Sequence, residues 1–153
     1  MKSIVAAALL SAMSAGWVSA CPDVNMTPTF GAINLSAGFL PDPYVRNITA
    51  GGSQNISGCG GYGWAGWVPS RPDFSLMWSG SSAQLTIYAN TTVDAVMLVN
   101  APDGRTWYYD DDSAGNLDPA ITIVNPQQGR YDIWIGSIDG SQRNPGQLII
   151  TER

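Results

Sequence analysis

The chain has no histidine, a single glutamate, Glu152, and a single lysine, Lys2. Without histidine there is no Ser-His-Asp triad, no Cys-His dyad and no histidine-ligated zinc, and without lysine beyond position 2 there is no Schiff base in the body of the chain. Acid–base work near neutral pH falls mostly to histidine or to tuned carboxylates, so an enzyme built here would have to run on aspartate. The sequence therefore reads as non-catalytic. Long hydrophobic runs are also missing: after the first residues no stretch approaches the roughly 20 apolar residues that cross a bilayer as a helix. No transmembrane segment is expected.

What is present begins with an export signal. Lys2 precedes an apolar run from Ile4 to Leu10, and the small side chains of Val18 and Ala20 suit signal peptidase, which divides the chain into a signal at 1–20 and one domain at 21–153. The 133 residues that remain fit a single domain with a core of its own. Their twelve acidic side chains face six arginines, a net of −6, which disfavours nucleic acid as a partner. A secreted or periplasmic location follows from the signal. The only cysteines, Cys21 and Cys59, are expected to pair as a disulfide in an oxidising compartment and to pin the mature N-terminus. The alternative is lipidation, because Val18-Ser19-Ala20-Cys21 also fits a lipobox that would anchor the protein through Cys21.

Short alternating runs separated by Gly, Pro, Asn and Asp clusters predict an all-β fold, an antiparallel β-sandwich (jelly-roll-like) of about 8–9 short strands. The strands fall at residues 30–35, 44–49, 74–78, 84–89, 95–100, 105–109, 121–124, 131–136 and 147–151. Phe74, Leu76 and Trp78 share one face, which is predicted to be core. Ala101-Pro102-Asp103-Gly104 supplies a hairpin turn, since proline presets φ and glycine accepts φ > 0. Residues 51–71 carry seven glycines and read as a long loop whose aromatics fold back or face a partner.

The run Asp94-Ala95-Val96-Met97-Leu98-Val99-Asn100, then Pro102-Asp103-Gly104, then Pro126 to Gly136 in the pattern P-x-x-G-x-Y-x-I-x-I-G, resembles the bacterial pre-peptidase C-terminal (PPC) domain. The resemblance is best over about residues 72–153, and the family's opening Asp-x-Asp stands here as Asp94-Ala95-Val96, with one acidic position absent. It implies a β-sandwich that in the family is accessory to a protease, and therefore a binding, adhesion or envelope structural module. A peptidase activity is not implied.

Two segments carry candidate chemistry. Asp110, Asp111, Asp112, Asn116 and Asp118 crowd oxygen donors around a glycine, a composition that suits calcium, although the same residues also make solvated turns by capping backbone groups. Alternate carboxylates in this run are the only pair suggesting an Asp-dependent hydrolase. Tyr62, Trp64 and Trp67 are the candidate ligand platform, in which exposed rings would bind sugars as in a carbohydrate-binding module. The expected partner is an unidentified protein or polysaccharide of the envelope or its surroundings.

Overall fold

In the computed structural model, which describes residues 21–140 and 143–153, the alternating runs fold into eleven strands, with no helix among the described residues. The expected export signal lies outside the described residues. One sheet places β1 (Ala32–Ser36), β5 (Phe74–Ser79), β10 (Gly129–Ser137), β7 (Ala95–Asn100) and β8 (Trp107–Asp110) side by side. Two short strands, β4 (Trp67–Val68) and β3 (Gln54–Asn55), continue that sheet from the end of β10. The other sheet has the order β2 (Tyr44–Ala50), β11 (Asn144–Thr151), β6 (Gln84–Thr91) and β9 (Ala120–Val124). The fold is the expected all-β sandwich. All nine expected strands are present, 95–100 with the expected ends and the others with shifted ones, and β3 and β4 correct the reading of residues 51–71 as loop alone.

Every pairing is antiparallel except β1 with β5, which is parallel. The cause lies upstream. The amides of Asp23, Thr29 and Phe30 bond the carbonyls of Ser70, Pro72 and Asp73, so the N-terminal segment is laid beside the entry to β5 before either strand begins. The Cys21–Cys59 disulfide fixes the start of that segment, with S–S 2.09 Å and Cα–Cα 5.6 Å. Cys21 Sγ is thus committed to Cys59, and lipidation at that atom would require the bond to be absent.

The core lies between the sheets. Ile33, Phe74, Leu76, Trp78, Met97, Val99, Tyr131, Ile133 and Ile135 meet Ile48, Leu85, Ile87, Ile121, Ile123, Leu148 and Ile150. As predicted, Phe74, Leu76 and Trp78 are buried and Met77 is exposed. Ser75 departs from the alternation: it is buried because its hydroxyl donates to Asp132 Oδ1 at 2.5 Å. Arg130 compensates the buried Asp132 charge through Nε at 2.9 Å and Nη2 at 2.8 Å, and the same Nη2 donates to the Val24 carbonyl at 2.6 Å.

β7 and β10 are buried on both faces, which explains the unbroken apolar run Ala95–Val99. The second face is covered by the glycine-rich segment. Ile56, Val68, Val96, Leu98 and Trp134 form a smaller cluster there, closed by Trp64, Trp107 and Tyr109. The cover lies so close that a Cβ at Gly136 would fall 2.1 Å from the Trp67 carbonyl oxygen. The hairpin turn between β7 and β8 forms where predicted, and Asp103 caps it: the Arg105 and Thr106 amides donate to Oδ1 at 2.8 Å and the Thr106 hydroxyl to Oδ2 at 2.6 Å. These bonds, led by the Thr106 hydroxyl, pull the Asp103 carboxyl down to about 2. Among the described residues no helix is long and apolar enough to cross a membrane.

Candidate functional site

A concavity of about 540 Å³, open to solvent, lies at one end of the sandwich where four chain segments meet. Thr29 and Phe30 come from the segment before β1, residues 49–53 from the exit of β2, residues 69–73 from the β4–β5 connection, and Arg143 from the approach to β11. Its volume falls within the roughly 300–1,000 Å³ of small-ligand sites. The Gly51-Gly52 pair makes one wall possible: Gly51 takes φ 116° while its amide donates to the Ile135 carbonyl at 3.1 Å. A Cβ at Gly52 would fall 1.9 Å from the Val68 carbonyl carbon. Only glycine lets the chain pass there.

Asp73 lines this cavity and is 3% exposed. It stands at the point where β10 leaves β5, and it bridges the gap: its amide donates to the Ile133 carbonyl at 2.8 Å, and its Oδ2 accepts the Ile135 amide at 2.7 Å. Oδ1 has no hydrogen-bond partner among the described residues. Burial pushes the carboxyl up to about 7, against the lowering effect of the Ile135 bond. Asparagine would accept the same amide without that desolvation cost. The carboxylate is therefore more than the strand junction needs.

The rim is cationic. Arg71 and Arg143 are exposed, and neither guanidinium has an ion-pair or hydrogen-bond partner among the described residues. Other arginines are engaged: Arg130 with Asp132, Arg153 with Asp42 at 3.5 Å, and Arg46 over the Tyr44 ring at 5.0 Å. Phe30, 45% exposed, presents an aromatic surface beside them while its ring rests on Phe74, centroids 5.3 Å apart. Asp73 is the only carboxylate in the lining, so the cavity does not offer the carboxyl pair used in glycoside hydrolysis.

The residues singled out from sequence lie elsewhere. Asp110 accepts the Ser113 amide at 2.9 Å and the Ala120 amide at 2.8 Å through Oδ2, and the Ser113 hydroxyl at 2.6 Å through Oδ1. Asp118 takes the Thr91 amide and hydroxyl, each at 2.9 Å, through Oδ1. Asp111 Oδ2 lies 3.3 Å from the Tyr109 hydroxyl, while Asp112 and Asn116 are exposed. Asn116 takes φ 55° in the turn. Among the described residues no three His, Cys, Asp or Glu side chains gather as metal ligands. The segment is a hydrogen-bonded turn that ties β8 to β9 through the Asp110 bond to the Ala120 amide. Its charges act on a neighbour: Asp94 is held above the usual carboxylate range, first by burial and then by Asp112 and Asp111.

The aromatic platform is divided. Tyr62 is fully exposed and stands alone. Trp64 is folded back, stacked on Tyr109 at 6.2 Å and tilted against Trp107 at 6.0 Å, and Trp107 in turn lies 5.3 Å from the buried Trp134. Trp67 belongs to β4, with Gly140 packed so near that a Cβ there would meet the ring at 2.2 Å. Burial raises the Tyr109 hydroxyl to about 12, aided by Asp111. Of the two readings of the loop aromatics, Trp64 follows the folding-back one.

No protein-family model and no curated protein matches the chain. Among solved structures it is similar to PliG of Aeromonas hydrophila, a periplasmic lysozyme inhibitor of g-type lysozyme, at 14% identity over 79% of this chain and 96% of that one, with a TM-score of 0.41.

Proposed function

We propose that the protein is an exported, non-catalytic binding module and that the cavity framed by Phe30, Arg71, Asp73 and Arg143 is its recognition site. The observation that carries this reading is the cavity itself: a pocket of ligand size lined by the Asp73 carboxyl, whose Oδ1 has no hydrogen-bond partner among the described residues, and by two guanidiniums that have none among them either. Export is supported by the Cys21–Cys59 bond, which persists in oxidising compartments and is rare in the cytosol. A non-catalytic role is supported by the absence of histidine and by the single carboxylate in the lining. The family resemblance to the PPC domain points the same way, to a sandwich that binds on behalf of a partner.

The test is to titrate the mature protein, followed by amide chemical shifts, with a panel of envelope glycans and peptides, and to recover each binder afterwards. The reading expects shifts centred on residues 29–30, 49–53 and 69–73 and a ligand returned unchanged. Conversion of a binder to product at a rate lost in Asp73→Asn would make the protein an enzyme. Shifts confined to Tyr62 and its neighbours would move the site away from the cavity.

A further inference from the structure

The chemistry of the cavity is mixed in a way that narrows the ligand. Two guanidiniums at the rim, neither paired among the described residues, call for an anion, since arginine binds carboxylate through paired, charge-assisted hydrogen bonds. The floor asks for the opposite: Asp73 Oδ1 has no hydrogen-bond partner among the described residues, and in its ionised form it accepts a ligand proton and repels a second anion. Between them, the Phe30 ring offers a flat apolar surface, and the hydroxyls of Thr49 and Ser53 are further donors and acceptors. A ligand that satisfies all three carries one negative charge, several hydroxyls and a C–H face.

The net charge of −6 over residues 21–153 sets a limit on that charge. A run of anions would meet repulsion from the rest of the surface within a Debye length of about 8–10 Å, so the two arginines can hold an isolated charge but not a polyanion. An acidic peptide supplies the charge and backbone N–H donors, yet its methylene stem offers no flat C–H face to lay against Phe30. A sugar acid supplies charge, hydroxyl donors and a ring face in one unit.

We infer that the cavity binds a saccharide carrying a single carboxylate, with the carboxylate on Arg71 and Arg143, a ring hydroxyl donating to Asp73 Oδ1, and the sugar ring against Phe30. This rests on the cavity being the recognition site, and it names the ligand class of that site. Sugar binding is thereby placed at Phe30, away from Tyr62, Trp64 and Trp67.

The test titrates the mature protein with glucuronic acid, glucose and N-acetyl-glutamate amide, read by amide shifts. Glucuronic acid is expected to bind at the cavity about fivefold or more tighter than glucose, a preference lost in Arg71→Gln/Arg143→Gln. Asp73→Asn keeps the strand junction but reverses two of that group's donor–acceptor positions, and it is expected to weaken glucuronic acid and glucose alike. Glucose matching glucuronic acid, or the acetylated glutamate matching it, overturns the inference while leaving a binding cavity in place. Silence of the cavity toward all three overturns it too, and the wider panel then decides whether the cavity binds anything.

Discussion

Replacing Asp73 with asparagine separates what this residue does for the fold from what it does for a ligand. A carboxyl at its ordinary 3.8 in the unfolded chain and at about 7 in the fold keeps its proton in the fold at pH values where the unfolded chain has released it. Folding then takes up a proton, so stability falls as pH rises from about 4 to about 7 and levels off above that. At about 1.36 kcal/mol per pH unit the loss is roughly 4 kcal/mol. Asparagine has no such slope, and its Oδ1 is able to accept the Ile135 amide that Asp73 accepts at 2.7 Å. Asp73→Asn is therefore expected to match the wild type near pH 4 and to exceed it by up to roughly 4 kcal/mol near pH 8. Urea unfolding of both proteins across that range supplies the difference curve, from which the titrations common to both cancel. Two curves that run parallel would refute the reasoning, because Asp73 would then titrate alike in the folded and unfolded chain.

Loss of the Cys21–Cys59 bond, by the double serine variant, is expected to cost ~4 kcal/mol for a sequence separation of 38, measured by urea midpoint. Chelator and added calcium should both leave the melting temperature unchanged, while Asp110→Ala lowers stability by about 2 kcal/mol through the three bonds it abandons. Asp132→Ala should cost about 1–3 kcal/mol in the same assay, since it leaves the buried Ser75 hydroxyl without its acceptor and removes the half-exposed Arg130 pair. Trp64→Ala should destabilise by about 2 kcal/mol through the lost stacking on Tyr109 and Trp107, yet leave glycan titrations at the cavity unaltered.

Strand positions were legible because alternation with a period of two survives wherever one face is buried, as in Phe74, Leu76 and Trp78. It fails where both faces are buried, and β7 announces itself only as an apolar run. The parallel β1–β5 pair was not legible although the Cys21–Cys59 bond was, because the direction of β1 is set by backbone bonds to residues 70–73 that leave no mark on side-chain pattern. β3 and β4 are two residues each, too short to show a period. The acidic segment drew attention because five oxygen-bearing side chains stand close in sequence, but closeness in sequence made it a turn. The cavity residues are spread from 29 to 143 and only the tertiary fold assembles them.

The glycine-rich segment over the outer face of the first sheet has two kinds of fastening. Cys59, near its middle, is bonded to the first described residue, while β4 pairs with β10 and the Gly51 amide donates to the Ile135 carbonyl. Reduction opens the first and leaves the second, so the cover over Trp134, Leu98 and Val96 is expected to loosen first around Cys59 and the N-terminal segment, with Ile56 and Val68 still packed beneath.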